Sequence, residues 1–272
     1  MRYFVPLYIA ATFCGTFLQA EDLFPDKKLE AVVRRNVFDK RNNDEPLTDK
    51  DVEKISTISG KGAGITNLKG LEKCYSLAQL DLENNNISDI SALSELTSLQ
   101  SINLADNVLT DITPLQKLVR LQYLELSDNQ VKDLSALENL SNMRSLYLSR
   151  NKLTDVTPIA KLTKIWSLYL DDNNVTDLTP LKGLAWLSSL HLRHNGITDL
   201  SPLKELKELK TLMLERNQLS DLKQVVELAQ KHPEMATFLR LYVAKNPLKG
   251  DTDAEVNQLK ELGVRVTLEP TP

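Results

Sequence analysis

Two of the chain's three histidines stand where they could take part in metal chemistry. His191 and His194 are separated by two residues, and they follow Asp171 and Asp172 in the sequence. Imidazole and carboxylate groups are ligands for Zn²⁺, so these four side chains could hold a metal ion if the fold made them converge. Arg193, between the histidines, disfavours a bound cation. We therefore expect no metal and no other cofactor.

Motifs for covalent or phosphate chemistry do not occur in the sequence. It contains no glycine-rich phosphate loop, no G-x-S-x-G and no paired cysteine motif. Carboxylates are abundant, but none lies in an evident pocket. The balance of 33 Lys and Arg against 37 Asp and Glu gives a net charge of −4, which is not typical of a nucleic-acid-binding protein. We expect a protein that is not an enzyme and does not bind nucleic acid.

A repeat of 22 residues determines where such side chains would lie. Each copy follows the frame Leu-x-x-Leu-x-Leu-x-x-Asn-x-(Ile/Leu/Val)-x-Asp, as in LAQLDLENNNISD from Leu77 to Asp89. A fixed period of this length with this apolar frame predicts a leucine-rich-repeat solenoid. The asparagines of the frame are Asn85, Asn107, Asn129, Asn151, Asn173, Asn195 and Asn217.

Each repeat is expected to form one coil with a short strand. In the first copy Leu80 and Leu82 alternate with polar residues, which places the leucines inside the coil. Stacked coils would pair their strands in one parallel sheet. The Asn side chain both donates and accepts hydrogen bonds, so we expect it to bind backbone groups inside the turn after the strand.

The return leg of each coil reads Asp-(Leu/Ile/Val)-(Ser/Thr)-(Ala/Pro)-(Leu/Ile), first at 89–93 and last at 199–203. Asp favours the start of a turn, and Pro suits a first helical turn. This leg is short, so it predicts 3₁₀-like segments. The prediction is an α/β solenoid, a curved stack with a parallel concave sheet, a 3₁₀-like convex side and helical caps at both ends.

The sequence divides into five expected segments. Residues 1–20 have Arg2, an apolar stretch and Ala20, which together predict a cleaved secretory signal peptide, with a membrane anchor as the alternative. A cleaved signal predicts an extracytoplasmic protein, whether secreted, periplasmic or at the cell surface. Residues 21–54 are a helical N-terminal cap, 55–220 the repeats, 221–268 a longer terminal repeat with an α-helical C-terminal cap, and 269–272 a tail.

Only one cysteine, Cys74, would remain in the mature chain. It lies 22 residues before Leu96, an interior position of the frame, so we expect a buried side chain rather than a reactive thiol. No later segment is long and apolar enough to span a membrane.

Residues 22–220 contain a set of motifs shared by the N-terminal cap and the repeats. They are Phe24-Pro25-Asp26, Leu47-Thr48-x-x-Asp51, Ile65-x-x-Leu68-x-Gly70-Leu71 and the 22-residue coils. Together they resemble the bacterial internalin family, and the coils alone are also similar to the phosphatase-regulatory class of leucine-rich repeats. The resemblance to internalins implies the architecture and an interaction role. It does not imply a receptor, because the family's immunoglobulin-like segment and cell-wall anchor have no recognisable counterpart here.

The outward strand positions predict a partner-binding surface. Tyrosine is enriched at recognition surfaces, although aromatic residues are also favoured simply for packing along a sheet. Neither tryptophan fills a leucine position, so Trp166 and Trp186 are expected to be partly exposed on one flank, where they could pack together or form a second contact or dimer site. The predicted binding residues form a diagonal stripe of Tyr123, Tyr147, Tyr169, His191, Met213 and Tyr242, together with Arg193.

The sequence thus favours an exported interaction module that binds a macromolecule on its concave face. A protein is the expected partner, and a glycan is the alternative. We expect a monomer, with a dimer as the alternative. Two other functions stay open: a structural envelope protein that self-associates, and an intracellular scaffold of the phosphatase-regulator type if residues 1–20 are not a signal.

Overall fold

The computed structural model describes residues 22–249 and 251–270; the predicted signal peptide lies outside them. Within these residues ten parallel strands form one open sheet whose spatial order equals the sequence order. This confirms the predicted solenoid. The strands are β1 (Thr57–Ser59), β2 (Gln79–Asp81), β3 (Ser101–Asn103), β4 (Tyr123–Glu125), β5 (Ser145–Tyr147), β6 (Ser167–Tyr169), β7 (Ser189–His191), β8 (Thr211–Met213), β9 (Arg240–Tyr242) and β10 (Arg265–Thr267).

Register in the sheet follows the sequence period. Leu80 lies opposite Ile102, and Ile102 lies opposite Leu124, so equivalent residues of successive coils are neighbours. These side chains are fully buried, and the apolar residues of every coil form one continuous core. Each coil thus buries its leucines against the coils on either side, which is how a repeat protein obtains its stability.

The return legs form 3₁₀ segments, as predicted, and their length depends on one residue. Where the fourth position of the leg is Pro, as in Thr113–Lys117, the segment has five residues. Where it is Ala, as in Ser91–Leu93 and Ser135–Leu137, it has three. The same relation holds for Thr157–Lys161, Thr179–Gly183 and Ser201–Glu205, which all contain Pro. Proline fixes φ at a helical value, which extends the segment.

The asparagines bind backbone groups of two successive coils. The Nδ2 of Asn151 donates to the Leu148 carbonyl of its own coil at 3.1 Å and to the Leu126 carbonyl of the coil before at 2.9 Å. Its Oδ1 accepts the Val131 N–H at 2.9 Å. The other asparagines of the frame make equivalent bonds, and six of the seven are buried. The predicted binding of backbone groups by these asparagines is confirmed. We call the row of seven asparagine side chains the amide ladder.

The N-terminal cap consists of α1 (Lys27–Arg34) and α2 (Asp49–Val52), which cover the first coil. Asp26 caps α1 by accepting the N–H groups of Lys28 and Leu29. Its other oxygen accepts the N–H groups of Thr66 and Asn67 at 2.8 and 3.1 Å. Burial opposes the charge of Asp26, but these four hydrogen bonds outweigh it and lower its pKa. One carboxylate therefore joins the cap helix to the repeats.

Asp51 makes the stability of the N-terminal cap depend on pH. The Lys40 ammonium and the Thr48 hydroxyl and N–H all donate to its carboxylate, which lowers its pKa from 3.8 to about 2. A carboxylate with a lowered folded-state pKa stabilises the fold above its unfolded pKa and loses that contribution as pH falls through the folded one. We predict that Asp51→Asn flattens the loss of stability between about pH 4 and about pH 2. Urea unfolding of both chains across that interval measures it, and parallel pH curves would contradict it.

The C-terminal end differs from the repeats. The interval from Asn217 to Asn246 is 29 residues, and it contains helix α3 (Lys223–Lys231) and a short helix α4 (Pro233–Ala236). Helix α5 (Thr252–Glu261) forms the α-helical part of the C-terminal cap. Gly263, at φ +92°, follows it and leads into β10, which closes the sheet.

Cys74 is fully buried, and burial raises the pKa of its thiol to about 12, in agreement with the predicted packing role. Among the described residues, no helix has the length and apolar character needed to cross a membrane.

Candidate functional site

The solvent-facing side of the sheet, here called the sheet face, carries a row of large side chains. Strand pairing places Tyr147 opposite Tyr169, Tyr169 opposite His191, and His191 opposite Met213, which in turn lies opposite Tyr242. These five residues, the sheet row, form a straight line rather than the predicted diagonal. The reason is that each occupies the same position of its coil, so the parallel register aligns them.

Tyr123 joins the sheet row by a diagonal step. It pairs with Ser145 rather than Tyr147, because it lies two residues earlier in its coil. Its ring nevertheless reaches Tyr147, with the centroids 5.4 Å apart and the planes tilted by 45°. The row continues with an edge contact of 4.7 Å between Tyr147 and Tyr169. The Tyr169 ring stacks on the imidazole of His191 at 3.6 Å and 13°. The four rings thus form one continuous series.

The rings lie partly exposed on the sheet face. Burial against neighbouring rings, with the nearby carboxylate of Glu125, raises the pKa of Tyr123 to about 12. Burial, with the neighbouring Tyr169, also raises the pKa of Tyr147. Both hydroxyls therefore stay protonated at neutral pH and can donate hydrogen bonds.

Small hydroxyl side chains line one side of the sheet row. Ser145, Ser167, Ser189 and Thr211 follow each other in register along four strands. They are shorter than the tyrosines beside them, so a partner could reach the ring edges from this side.

Buried charges lie on the other side of the row. Asp171 accepts the Arg193 N–H at 2.7 Å, and its second oxygen lies 3.7 Å from Nδ1 of His191. The carboxylate of Glu215 is almost fully buried and pairs with the Arg193 guanidinium. Nε2 of His191 lies 3.2 Å from the Ser189 hydroxyl. These contacts fix the orientation of His191 and Arg193, so both present a preformed surface.

Comparison with known proteins reveals the family. The sequence profile described as Leucine Rich repeats (2 copies) matches residues 76–117, 97–139, 119–161, 141–183 and 185–226. The structure is similar to that of internalin C2 from Listeria monocytogenes, with 34% identity and a TM-score of 0.72, covering 76% of this chain and 91% of that one. The chain is an internalin-like leucine-rich-repeat protein. The predicted resemblance is confirmed.

Two further structures are similar to this internalin-like protein. Internalin F from Listeria monocytogenes shares 25% identity at a TM-score of 0.51, covering 90% of this chain and 91% of that one. A leucine-rich-repeat protein of Leptospira interrogans shares 24% identity at a TM-score of 0.66, covering 75% of this chain and 57% of that one, which shows a common fold alone. A search of curated protein sequences finds no match.

The candidate metal ligands of the internalin-like chain do not converge. His191 belongs to the sheet row and faces Asp171, whereas His194 lies in the turn and its Nδ1 is 2.7 Å from Asp172. Each imidazole thus has its own carboxylate partner in the preceding coil. Among the residues that the structure describes, no group of three His, Cys, Asp or Glu side chains could hold a metal ion.

Ion pairs between neighbouring coils neutralise part of the charge on the sheet face. Arg150 binds Asp128 of the preceding coil, and Arg193 binds Glu215 of the following one. In addition, the position two residues before the Asn is buried in several coils, as at Ser127, Ser149 and Ala244. The solvent-accessible part of the sheet face in this internalin-like protein is therefore narrower, and carries less unpaired charge, than the sequence suggests.

Both tryptophans lie exposed on a flank of the stack, away from the sheet row. Trp166 is 50% exposed and Trp186 is 62% exposed. Among the described residues the two indole rings make no contact with each other; instead the Arg144 guanidinium lies 5.5 Å from the Trp166 ring centroid. The two tryptophans therefore do not pack together, which was one of the expected arrangements.

Proposed function

We propose that this chain is an exported, non-enzymatic interaction module that binds a partner protein on its sheet face. The observation that carries the proposal is the continuous series of rings from Tyr123 through Tyr147 and Tyr169 to His191. Leucine-rich-repeat scaffolds are interaction folds, and the family match supports this class of function.

Rigid recognition is the mechanism that the sheet row supports. Each ring is held by its neighbour and by the parallel sheet, so binding would cost little side-chain entropy. Tyrosine offers a large apolar area with a polar tip and is common among the residues that dominate binding energy. At the other end of the row, Met213 adds an adaptable apolar side chain and Tyr242 a further ring.

Packing along the sheet would also favour stacked rings, whatever their function. Such packing stabilises the sheet but does not require that the rings stay accessible. All six residues of the predicted stripe are partly exposed, and a row of short hydroxyl side chains lies beside them; both features support recognition. A protein partner agrees with this mixture of aromatic and hydroxyl groups, and a glycan is the alternative occupant.

The test is a paired substitution of the two central rings in the series from Tyr123 to His191. We predict that Tyr147→Ser with Tyr169→Ser weakens binding of the partner at least tenfold, because the two central rings are lost together. A pull-down from the native envelope or growth medium first identifies the partner, and surface-based affinity measurement then compares the variants.

Phe38→Ser is the control, since Phe38 is 74% exposed but lies between α1 and α2 in the N-terminal cap, outside the row. Unchanged affinity in the double variant, with circular dichroism showing an intact fold, would place the binding site elsewhere.

A further inference from the structure

One flank of the stack, formed by the residues that lead into the strands, collects most of the exposed apolar area. Of the seven large apolar side chains exposed in the described part of the chain, five lie there. They are Tyr75, Val119, Trp166, Trp186 and Phe238. Such concentration on one face of an otherwise polar surface is typical of an interaction site.

Basic side chains accompany the aromatic ones. Five exposed cations, Arg120, Arg144, Lys164, Lys207 and Lys210, lie on this flank, and the nearby acidic residues are Glu208 and Glu234. We call these five cations, with Trp166, Trp186 and Phe238, the flank strip. Its positive charge contrasts with the net charge of −4 of the whole chain.

The five strip cations have no acidic residue at the equivalent position of the preceding coil, unlike Lys117 and Lys161. Lys117 and Lys161 each bind a glutamate of the coil before, Glu95 and Glu138. Within the described residues, none of the five strip cations has an ion-pair partner. The positions one coil before them are Ser98, Gln122, Asn142, Ala185 and Ser188. The strip therefore holds uncompensated positive charge.

Two shallow grooves lie along the strip, with the tryptophans between them. The first, of about 320 Å³, is lined by Arg120, Arg144 and Lys164 together with amide side chains. The second, of about 500 Å³, is lined by Lys210 and Phe238 among others. By register Trp166 follows Arg144, and Trp186 follows Lys164, one coil further on. Cationic grooves and indole rings thus form one surface.

We propose that the flank strip binds an acidic, extended polypeptide segment of a partner protein, at a site separate from the sheet face. Clusters of basic side chains recognise acidic peptide motifs, and Trp and Arg are the residues that most often dominate binding energy. The strip runs from the coil of β4 to that of β9, five steps of about 4.8 Å each. That length fits roughly seven residues of extended chain. Carboxylates would pair with the cations while apolar side chains cover Trp186 and Phe238.

The chain offers a selective probe of this site, because its only two tryptophans both belong to the strip. Tryptophan-selective fluorescence therefore reports occupancy of the flank and not of the sheet face. The ligand is a synthetic glutamate-rich peptide carrying two leucines and long enough to span the strip. A peptide with glutamine in place of glutamate is the control ligand, and polygalacturonate tests an anionic glycan.

We expect a saturable blue shift of the emission with the glutamate peptide, and at least tenfold weaker binding when Arg144→Gln is combined with Lys164→Gln. Lys161→Gln, a paired cation off the strip, and the double Tyr147→Ser, Tyr169→Ser variant should both leave the affinity unchanged. An unchanged affinity in the double tyrosine variant would also show that this site is separate from the sheet face. The proposal for the flank strip and the proposal for the sheet face can therefore be refuted independently.

Three results would overturn the assignment. Equal affinity for the glutamine peptide would remove the role of charge. A response to polygalacturonate without one to the peptide would assign the strip to an anionic glycan. An emission shift that depends on protein concentration alone, with dimers in sedimentation, would assign it to a second copy of the chain.

Discussion

Replacing Asn151 by alanine is expected to lower the free energy of unfolding by about 3–4 kcal/mol. The Val131 N–H loses its hydrogen-bond acceptor, the Asn151 Oδ1, and is left unpaired inside the stack. The Leu126 and Leu148 carbonyls each lose one of two amide donors, since Leu126 also accepts from Asn129 and Leu148 from Asn173. An orphaned buried N–H costs about 1–3 kcal/mol, and the lost bonds to the carbonyls add to it.

Asn85 provides the matched control for this substitution. It makes the same set of bonds, to the Gly60 and Leu82 carbonyls and from the Ile65 N–H, but it lies in the first full repeat and is only partly buried. Water can replace part of what is lost there, so Asn85→Ala should cost about 1 kcal/mol. Urea unfolding followed by circular dichroism measures both. Equal losses in the two variants would show that burial does not set the cost.

The strands, return legs and asparagine contacts of this fold could be predicted because the same 22-residue frame recurs in each coil. A leucine moved by one position would point to solvent in its strand, so the alternation around Leu80 and Leu82 determines both strand and register. The Asp of each return leg behaved likewise: Asp133 accepts the Ser135 N–H at 2.8 Å, as its turn-forming tendency predicts.

The residue before each ladder asparagine shows what sequence reasoning missed. All seven such residues, and Lys245 before Asn246, adopt the left-handed conformation, with φ between 50° and 59°. The signal was present, because Asn84, Asp106, Asp128 and Asp172 are of the types that tolerate this conformation. Arg150 and Lys245 obscure it, since their side chains carry no such preference.

For the candidate site, the sequence indicates which residues face outward but not how they touch. The row of Tyr147, Tyr169 and His191 follows from register alone. The ring angles depend on side-chain rotamers, and so does the fixing of His191 by Asp171 and Ser189. The absence of ion pairs around the cations of the flank strip likewise depends on which side chains lie beside each cation in the folded stack.

Gly70 is the position where a single methyl group should do the most damage to the cap. Its φ is +103°, which L side chains rarely adopt, and a Cβ there would lie 2.3 Å from the Leu23 carbonyl oxygen and 2.6 Å from Cδ1 of Phe24. Phe24 is buried between the cap and the first coil. Neither backbone nor a buried ring can move away cheaply, so the cap itself must shift.

Gly70→Ala is therefore expected to cost about 3 kcal/mol or more, as strained backbone and steric overlap add together. The loss should begin at the N-terminal end, because a terminal cap protects the coils nearest to it. Amide hydrogen exchange should thus accelerate in β1 and β2 before β6 and β7. Gly183→Ala is the control: a Cβ there has no neighbour within 4 Å, so stability should change by less than about 0.5 kcal/mol. Similar exchange rates along the whole sheet in both variants would mean that Gly70 does not hold the cap in place.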